Sequence, residues 1–220
     1  MTEHYHGTPI TPNAVLCSLA GGHFCVSHAR PDQVRLCHEI GQRVMLDNGA
    51  FSVWKRGHKA DWSGYYGFCD EWLNYPTTWA VIPDVIDAGT QEQDALLREW
   101  PHGQRGAPVW HMDEPIARLL RLCDDWPVVC VGSTDIYAEV LSGPWCRRID
   151  EAFNAVSAGR LPWLHMLRGM QLAGRQWPFA SLDSTDVARN HATRAKNPAS
   201  KFQSARSMAD RWDAMQTPGK

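Results

Sequence analysis

Short apolar runs that stop abruptly at a polar residue recur along the chain, separated by stretches whose apolar residues repeat at helical spacing. The clearest is Val44-Met45-Leu46, which ends at Asp47 and passes into the turn pair Asn48-Gly49. This run is too short for a helix, begins with a β-branched residue and is closed by residues that tolerate φ > 0. It therefore predicts a strand that delivers a carboxylate to the rim of a sheet. Four later runs repeat the pattern: 79–82 ends at Pro83-Asp84, 108–110 at His111, 128–131 at Gly132-Ser133, and 179–182 at Asp183. Helices are predicted over 31–40, from 61 or 63 to 73, and over 91–100, 115–123 and 145–158, with a further strand at 163–167. The first strand is expected in one or both of two apolar runs, 14–20 and 24–27, which Gly21-Gly22 separates.

The alternation of strand and helix continues at about 20–35 residues per unit, giving seven strands, or eight with both N-terminal runs counted. It predicts an α/β fold, a (β/α)8 TIM-like barrel, small or incomplete, over residues 1–190. An open doubly wound sheet is the alternative, although no Gly-x-Gly-x-x-Gly follows a strand as a dinucleotide fold would require. In either case the polar strand ends are expected to converge at the C-terminal edge of one parallel sheet. Residues 191–220 differ: Arg194, Lys196, Lys201, Arg206 and Arg211 stand against Asp210 and Asp213, and no strand-like run occurs. They predict a basic C-terminal helical extension, either a solvated helix or a surface for backbone phosphates.

Composition changes this picture only at a few points. At 220 residues and 44% hydrophobic content the chain can bury one substantial core. A formal charge of −2 offers no global attraction for nucleic acid, so any such partner must be held by a local patch. The seven cysteines are odd in number and contain no Cys-x-x-Cys pair, which favours reduced, buried thiols over disulfides or a zinc site. No charged-then-apolar leader opens the chain and no apolar run of about 18 residues occurs, so a cytoplasmic protein without membrane association is expected. Most of the eleven tryptophans fall at element ends or on helical faces and read as packing residues.

Asp47, Asp84 and Asp183 are three carboxylates at strand ends, and their residue types admit more than one chemistry. With His111 they could bind a metal; alternatively one could act as nucleophile and another as acid/base in glycosyl transfer. Each also has a purely structural reading. Asp47 before Asn-Gly suits a turn, Asp84 after a proline suits a helix cap, and Asp183 before Ser-Thr-Asp suits an N-cap.

Taken in order, 46–51 (Leu-Asp-Asn-Gly-Ala-Phe), Pro83-Asp84, Val109-Trp110-His111, Gly132-Ser133 and 179–186 (Phe-Ala-Ser-Leu-Asp-Ser-Thr-Asp) resemble the queuine/archaeosine tRNA-guanine transglycosylase superfamily. The likeness covers roughly residues 14–191 and is nearest to the short, phage-associated branch that inserts 7-deazaguanines into DNA. It implies a (β/α) barrel that exchanges guanine for a 7-deazaguanine such as preQ0 without breaking the strand. By the same resemblance Asp183 is the nucleophile that attacks the sugar C1′, Asp47 the acid/base, and Asp84 the residue that reads the purine. Asn48, Phe51, His111, Gly132, Ser133, Arg168 and Gly169 would complete the base pocket, with backbone amides at 132–133 and 168–169 donating to the base carbonyl. A covalent intermediate lets one base leave and another enter with configuration retained. The adjacent N1–H and N2–H donors of guanine suit an acceptor-only carboxylate.

Two departures narrow the expectation. Relatives that act on tRNA carry a Cys-x-Cys-x-x-Cys plus His zinc site after the nucleophile, whereas here no cysteine follows Cys146. The chain also ends soon after the barrel, without added RNA-binding domains. Both favour DNA over tRNA as the nucleic-acid partner and call for no metal and no cofactor. The target guanosine of a duplex would have to be flipped out, at a cost of a few kcal/mol. Lys55, Arg56, Arg189, Arg194, Lys196 and Lys201 are the candidate backbone contacts. The alternatives are a metal-dependent hydrolase on the same barrel and a barrel that binds a base or nucleotide without catalysis.

Overall fold

The computed structural model describes residues 1–58, 60, 62–156, 163–194 and 201–216, the side chains of 194 and 201–203 excepted. In chain order the elements are β1 (Glu3–Gly7), α1 (Asn13–Cys17), β2 (His23–Ser27), α2 (Val34–Ile40), β3 (Arg43–Asp47), α3 (Ala50–Lys55), α4 (Trp62–Trp72), β4 (Thr78–Val81), α5 (Thr90–Glu99), β5 (Gly106–Ala107), β6 (Val109–His111), α6 (Ile116–Asp125), β7 (Val128–Gly132), α7 (Gly143–Val156), β8 (Trp163–Met166), β9 (Ser181–Ser184), α8 (Asp186–Arg194) and α9 (Lys201–Asp213).

Every strand pair is parallel, in the order β5-β4-β3-β2-β1-β9-β8-β7-β6. The two ends of that order, β5 and β6, are separated by Pro108 alone. Proline has no N–H to give a ladder, which interrupts the strand, but its carbonyl still accepts from Cys130 N at 2.8 Å. With β5 bonded to β4 and β6 bonded to β7, the sheet closes on itself as a barrel of eight staves. Helices surround it, as the alternation of elements predicts.

Period-two alternation divides each strand's side chains between lumen and helical layer. Tyr5, Cys25, Met45, Val81, Ala107, Val109 and Cys130 fill the lumen as one buried cluster. The outward residues form two further clusters. One joins Phe24, Val26, Val44 and Leu46 to α2, α4 and α9, and the other joins Trp110, Val129, Val131 and Leu164 to α6 and α7. Trp110 and Trp145 are fully buried there, where truncation of either to alanine costs about 3–5 kcal/mol.

Two expectations change. The first stave is Glu3–Gly7, and the apolar run at 14–20 holds the helix α1 instead. Only one residue in five of β1 is apolar. Tyr5 points into the lumen, while His4 and His6 lie buried on the outward side against the C-terminal helices, so no apolar run marks the strand. The TIM-like (β/α) barrel is the one expected, with β1 supplying the stave between β2 and β9. The boundary expected between 190 and 191 falls inside α8. Ala205, Met208 and Ala209 of α9 join the core cluster with Leu16, Leu19 and Phe24, so the C-terminal segment completes the helical layer where α1 is short.

Candidate active site

The polar strand ends meet at the C-terminal mouth of the barrel. Asp47 is the last residue of β3, His111 of β6 and Gly132 of β7; Asp183 lies one residue before the end of β9, and Asp84 follows β4 by three residues. Gly49, at φ 77°, lets the chain leave β3 and turn at once into α3. Asn48 fixes that turn: its Oδ1 accepts from Ala50 N at 2.8 Å, and its Nδ2 donates to Ile82 O at 2.9 Å and to Asp84 Oδ1 at 2.7 Å. One buried amide thus joins the ends of β3 and β4.

The second oxygen of Asp84 lies 2.9 Å from His111 Nε2. Gln93 settles which ring nitrogen carries the proton. Its Oε1 accepts from Val85 N and its Nε2 donates to Val85 O, so the amide nitrogen 3.2 Å from His111 Nδ1 is a donor. His111 Nδ1 accepts, and Nε2–H donates to Asp84. Below the ring, Glu114 Oε2 accepts from His111 N at 2.9 Å and from Arg118 at 2.8 Å. Gly132 pairs with His111 across the ladder, where a Cβ would come within 3.1 Å of the imidazole.

Asp183 is held differently. Its Oδ1 accepts from Arg168 N at 2.6 Å and faces His165 Nε2 at 3.3 Å. Arg168 has φ 57°, which turns its amide inward, while its guanidinium lies 3.8 Å from the centroid of the Phe51 ring. This cation–π pair stands at the mouth, with Phe51 half-exposed.

The charges are coupled. Burial raises the Asp47 carboxyl to about 6; the Ser27 hydroxyl and the Gly49 N–H pull it down, and Asp183 and Asp84 push it further up. Burial likewise drives the Cys130 thiol far above its ordinary value, with Asp183, Asp84 and Asp47 adding to the effect. A single lumen thiol thus senses all three carboxylates. Burial alone would lower His111, but its hydrogen bond to Asp84 and the nearby carboxylates raise it.

The structure therefore brings together Asp47, Asn48, Asp84, His111 and Asp183, with Phe51 and Arg168 at the mouth. Other expected contributions differ. The Arg168 and Gly169 amides are not free for a ligand, because the first donates to Asp183 and the second to Met166 O. Gly169 is a packing glycine: a Cβ there would lie 2.3 Å from Met166 Cγ. The Ser133 hydroxyl accepts from Trp145 Nε1 at 2.9 Å. Lys55 and Arg56 end α3, exposed, and Arg189 is exposed in the first turn of α8. Lys196 lies outside the described residues, as do the side chains of Arg194 and Lys201.

Gln93, Glu114 and His165 were not expected from the sequence. His165 sits within the apolar strand 163–166, and only its register opposite Ser181, two residues before Asp183, marks it. Among the described residues no group of three or more His, Cys, Asp or Glu is arranged to hold a metal ion, and no helix is long and apolar enough to cross a membrane. No family model, curated protein or solved structure matches the chain.

Proposed function

We propose that this chain is a base-exchange transglycosylase that replaces guanine in nucleic acid, DNA in preference to tRNA, with a 7-deazaguanine such as preQ0. One observation carries the reading: a carboxyl raised to about 6, Asp47, stands across the barrel mouth from a second carboxylate, Asp183, whose Oδ1 meets the Arg168 amide and His165 Nε2 while among the described residues nothing bonds Oδ2. Two carboxyl groups with separated roles are what a retaining glycosyl exchange requires. The order of the sequence motifs supports the same reading.

In this mechanism Asp183 attacks C1′ of the flipped guanosine. The C1′–N9 bond breaks with its electron pair going to the base, and protonated Asp47 supplies the proton that makes guanine a neutral leaving group. Asp47, now a carboxylate, takes the N9 proton of the incoming 7-deazaguanine. The nitrogen then attacks C1′ and displaces Asp183, so the configuration is retained and no atoms are lost. An acid near 6 is suited to both transfers at neutral pH. Asp84, braced by Asn48 and His111, accepts from the N1–H and N2–H donors of the purine. Phe51 offers an aromatic face for the flipped base once Arg168 moves aside.

The donor set favours this covalent route over metal-dependent hydrolysis, since the described acids are braced by amide and imidazole partners rather than grouped as ligands. The test is incubation with duplex DNA, single-stranded DNA or tRNA together with 7-cyano-7-deazaguanine, followed by nucleoside analysis. Incorporation into DNA is expected. Incorporation into tRNA alone would correct the acceptor, and base binding without exchange under any condition would leave a binding barrel.

A further inference from the structure

We infer that His165 is a positioning residue that acts through Asp183, holding Oδ1 so that Oδ2 is the oxygen presented for attack. The evidence is a line of hydrogen bonds inside the barrel. Trp163 Nε1 lies 2.7 Å from Ser181 Oγ, the same Oγ lies 2.7 Å from His165 Nδ1, and His165 Nε2 lies 3.3 Å from Asp183 Oδ1. Trp163 Nε1–H can only donate, so it occupies one lone pair of the Ser181 hydroxyl. The hydroxyl proton is then free to go to His165 Nδ1, which leaves the imidazole proton on Nε2, facing Asp183.

The opposite tautomer would set the Nε2 lone pair against a carboxylate oxygen. His165 has no solvent exposure, and the rings of Tyr5 and Trp79 pack edge-on around it, so no water relieves that repulsion. A doubly protonated ring would also keep Nε2–H on Asp183. Each favourable state therefore sets the same donor on Oδ1, where the Arg168 amide already points from the rim at 2.6 Å. One donor below and one above fix the plane of the carboxylate. Among the described residues no hydrogen bond reaches Oδ2, the oxygen left for C1′. Without His165 the carboxyl group would be held at a single point and could turn about its own axis, and small misplacements of a reacting atom cost about 100-fold.

The kinetic part of this inference rests on Asp183 being the nucleophile, but the tautomer does not, and the experiment separates the two. Long-range proton–nitrogen NMR of the wild-type side chain should show His165 protonated on Nε2, and Ser181→Ala, which leaves Nδ1–H without an acceptor while Asp183 still faces Nε2, should keep the proton there. In base exchange, His165→Leu should lose about 100-fold in kcat with KM within about twofold, whereas His165→Gln, which keeps an N–H donor at similar reach, should stay within about tenfold of wild type. Three outcomes would overturn the positioning role: wild-type His165 protonated on Nδ1 alone, equal losses in the Leu and Gln variants, or a Leu variant with wild-type kcat. Should the wild type exchange no base, the proposed function fails while the NMR result still decides how Asp183 is held.

Discussion

Two sets of histidines and aspartates sit at this barrel; their histidines are equally buried, but Asp213 of the second set is exposed and the rings are differently provided with partners. At the mouth, His111 pairs with Asp84 and Gln93, and His165 pairs with Asp183 and Ser181, so both nitrogens of each ring are engaged. On the outer side of β1, beneath α9, His6 Nε2 lies 3.1 Å and His4 Nδ1 3.8 Å from the same oxygen of Asp213, while His4 Nε2 and His6 Nδ1 have no hydrogen-bond partner among the described residues. A cavity of about 290 Å³, lined by His6, Leu19, Gly22, Arg206 and Asp213, adjoins that second set. The difference lies in partners rather than in burial of the rings: each imidazole at the mouth has both nitrogens engaged, whereas burial holds His4 neutral and makes the fold sensitive to acid.

The largest expected effect breaks the first set. Asp183→Asn should keep nucleic-acid binding and lose base exchange by a factor on the order of 10⁴ or more, as removal of a nucleophile does elsewhere. A trapped glycosyl adduct should map to Asp183; an adduct on Asp47 would reverse the roles assigned to the two carboxylates.

The second set should appear in stability. Burial lowers His4 to about 4 despite the Asp213 carboxylate, against 6.5 for the free side chain. Between those values the unfolded chain binds the extra proton, so stability is lost as pH falls from about 6.5 to about 4, by up to about 3 kcal/mol. Urea titrations across this range should show the loss, and His4→Gln should flatten it. A wild-type profile without this slope would mean that His4 is solvated on docking of α9.

Asp47 has the opposite sign. Its raised value means the folded chain holds the proton between about 4 and 6, so charging it above pH 6 works against the fold. Asp47→Asn should therefore raise stability by about 2 kcal/mol at pH 8, show no gain at pH 4, and remove most of the exchange activity. Thermal melts at the two pH values check this. A smaller effect tests the rim packing: Gly169→Ala should cost about 1–3 kcal/mol, because the added methyl meets Met166. The smallest concerns the exposed cations. Neutralising Lys55, Arg56 and Arg189 should lower the slope of log affinity against log salt by about one unit per lost phosphate contact, without altering the melting temperature.

Much of this was legible in the residues because strand ends carry a local signature. An apolar run closed by Asp47-Asn48-Gly49, or broken off at His111 or Gly132, announces both the strand and the polar residue at its rim. β1 was not legible because its outward face is covered by histidines rather than aliphatics. The amide donors expected at 168 and 169 failed for a related reason: an N–H is the same in any sequence, and only the folded backbone determines whether it points to a ligand, to Asp183 or to Met166.

By itself the sequence determined the alternation of strand and helix, the parallel arrangement and the three acids at strand ends, since each follows from local periodicity and from turn residues that admit few conformations. The tertiary structure decided what depends on closure. The eighth stave, the joining of β5 and β6 through Pro108, the burial that raises Asp47 and the alignment of His165 beneath Asp183 all require residues far apart in the chain to meet across a lumen. Those contacts are set by the register of paired strands, and no short window of sequence contains it.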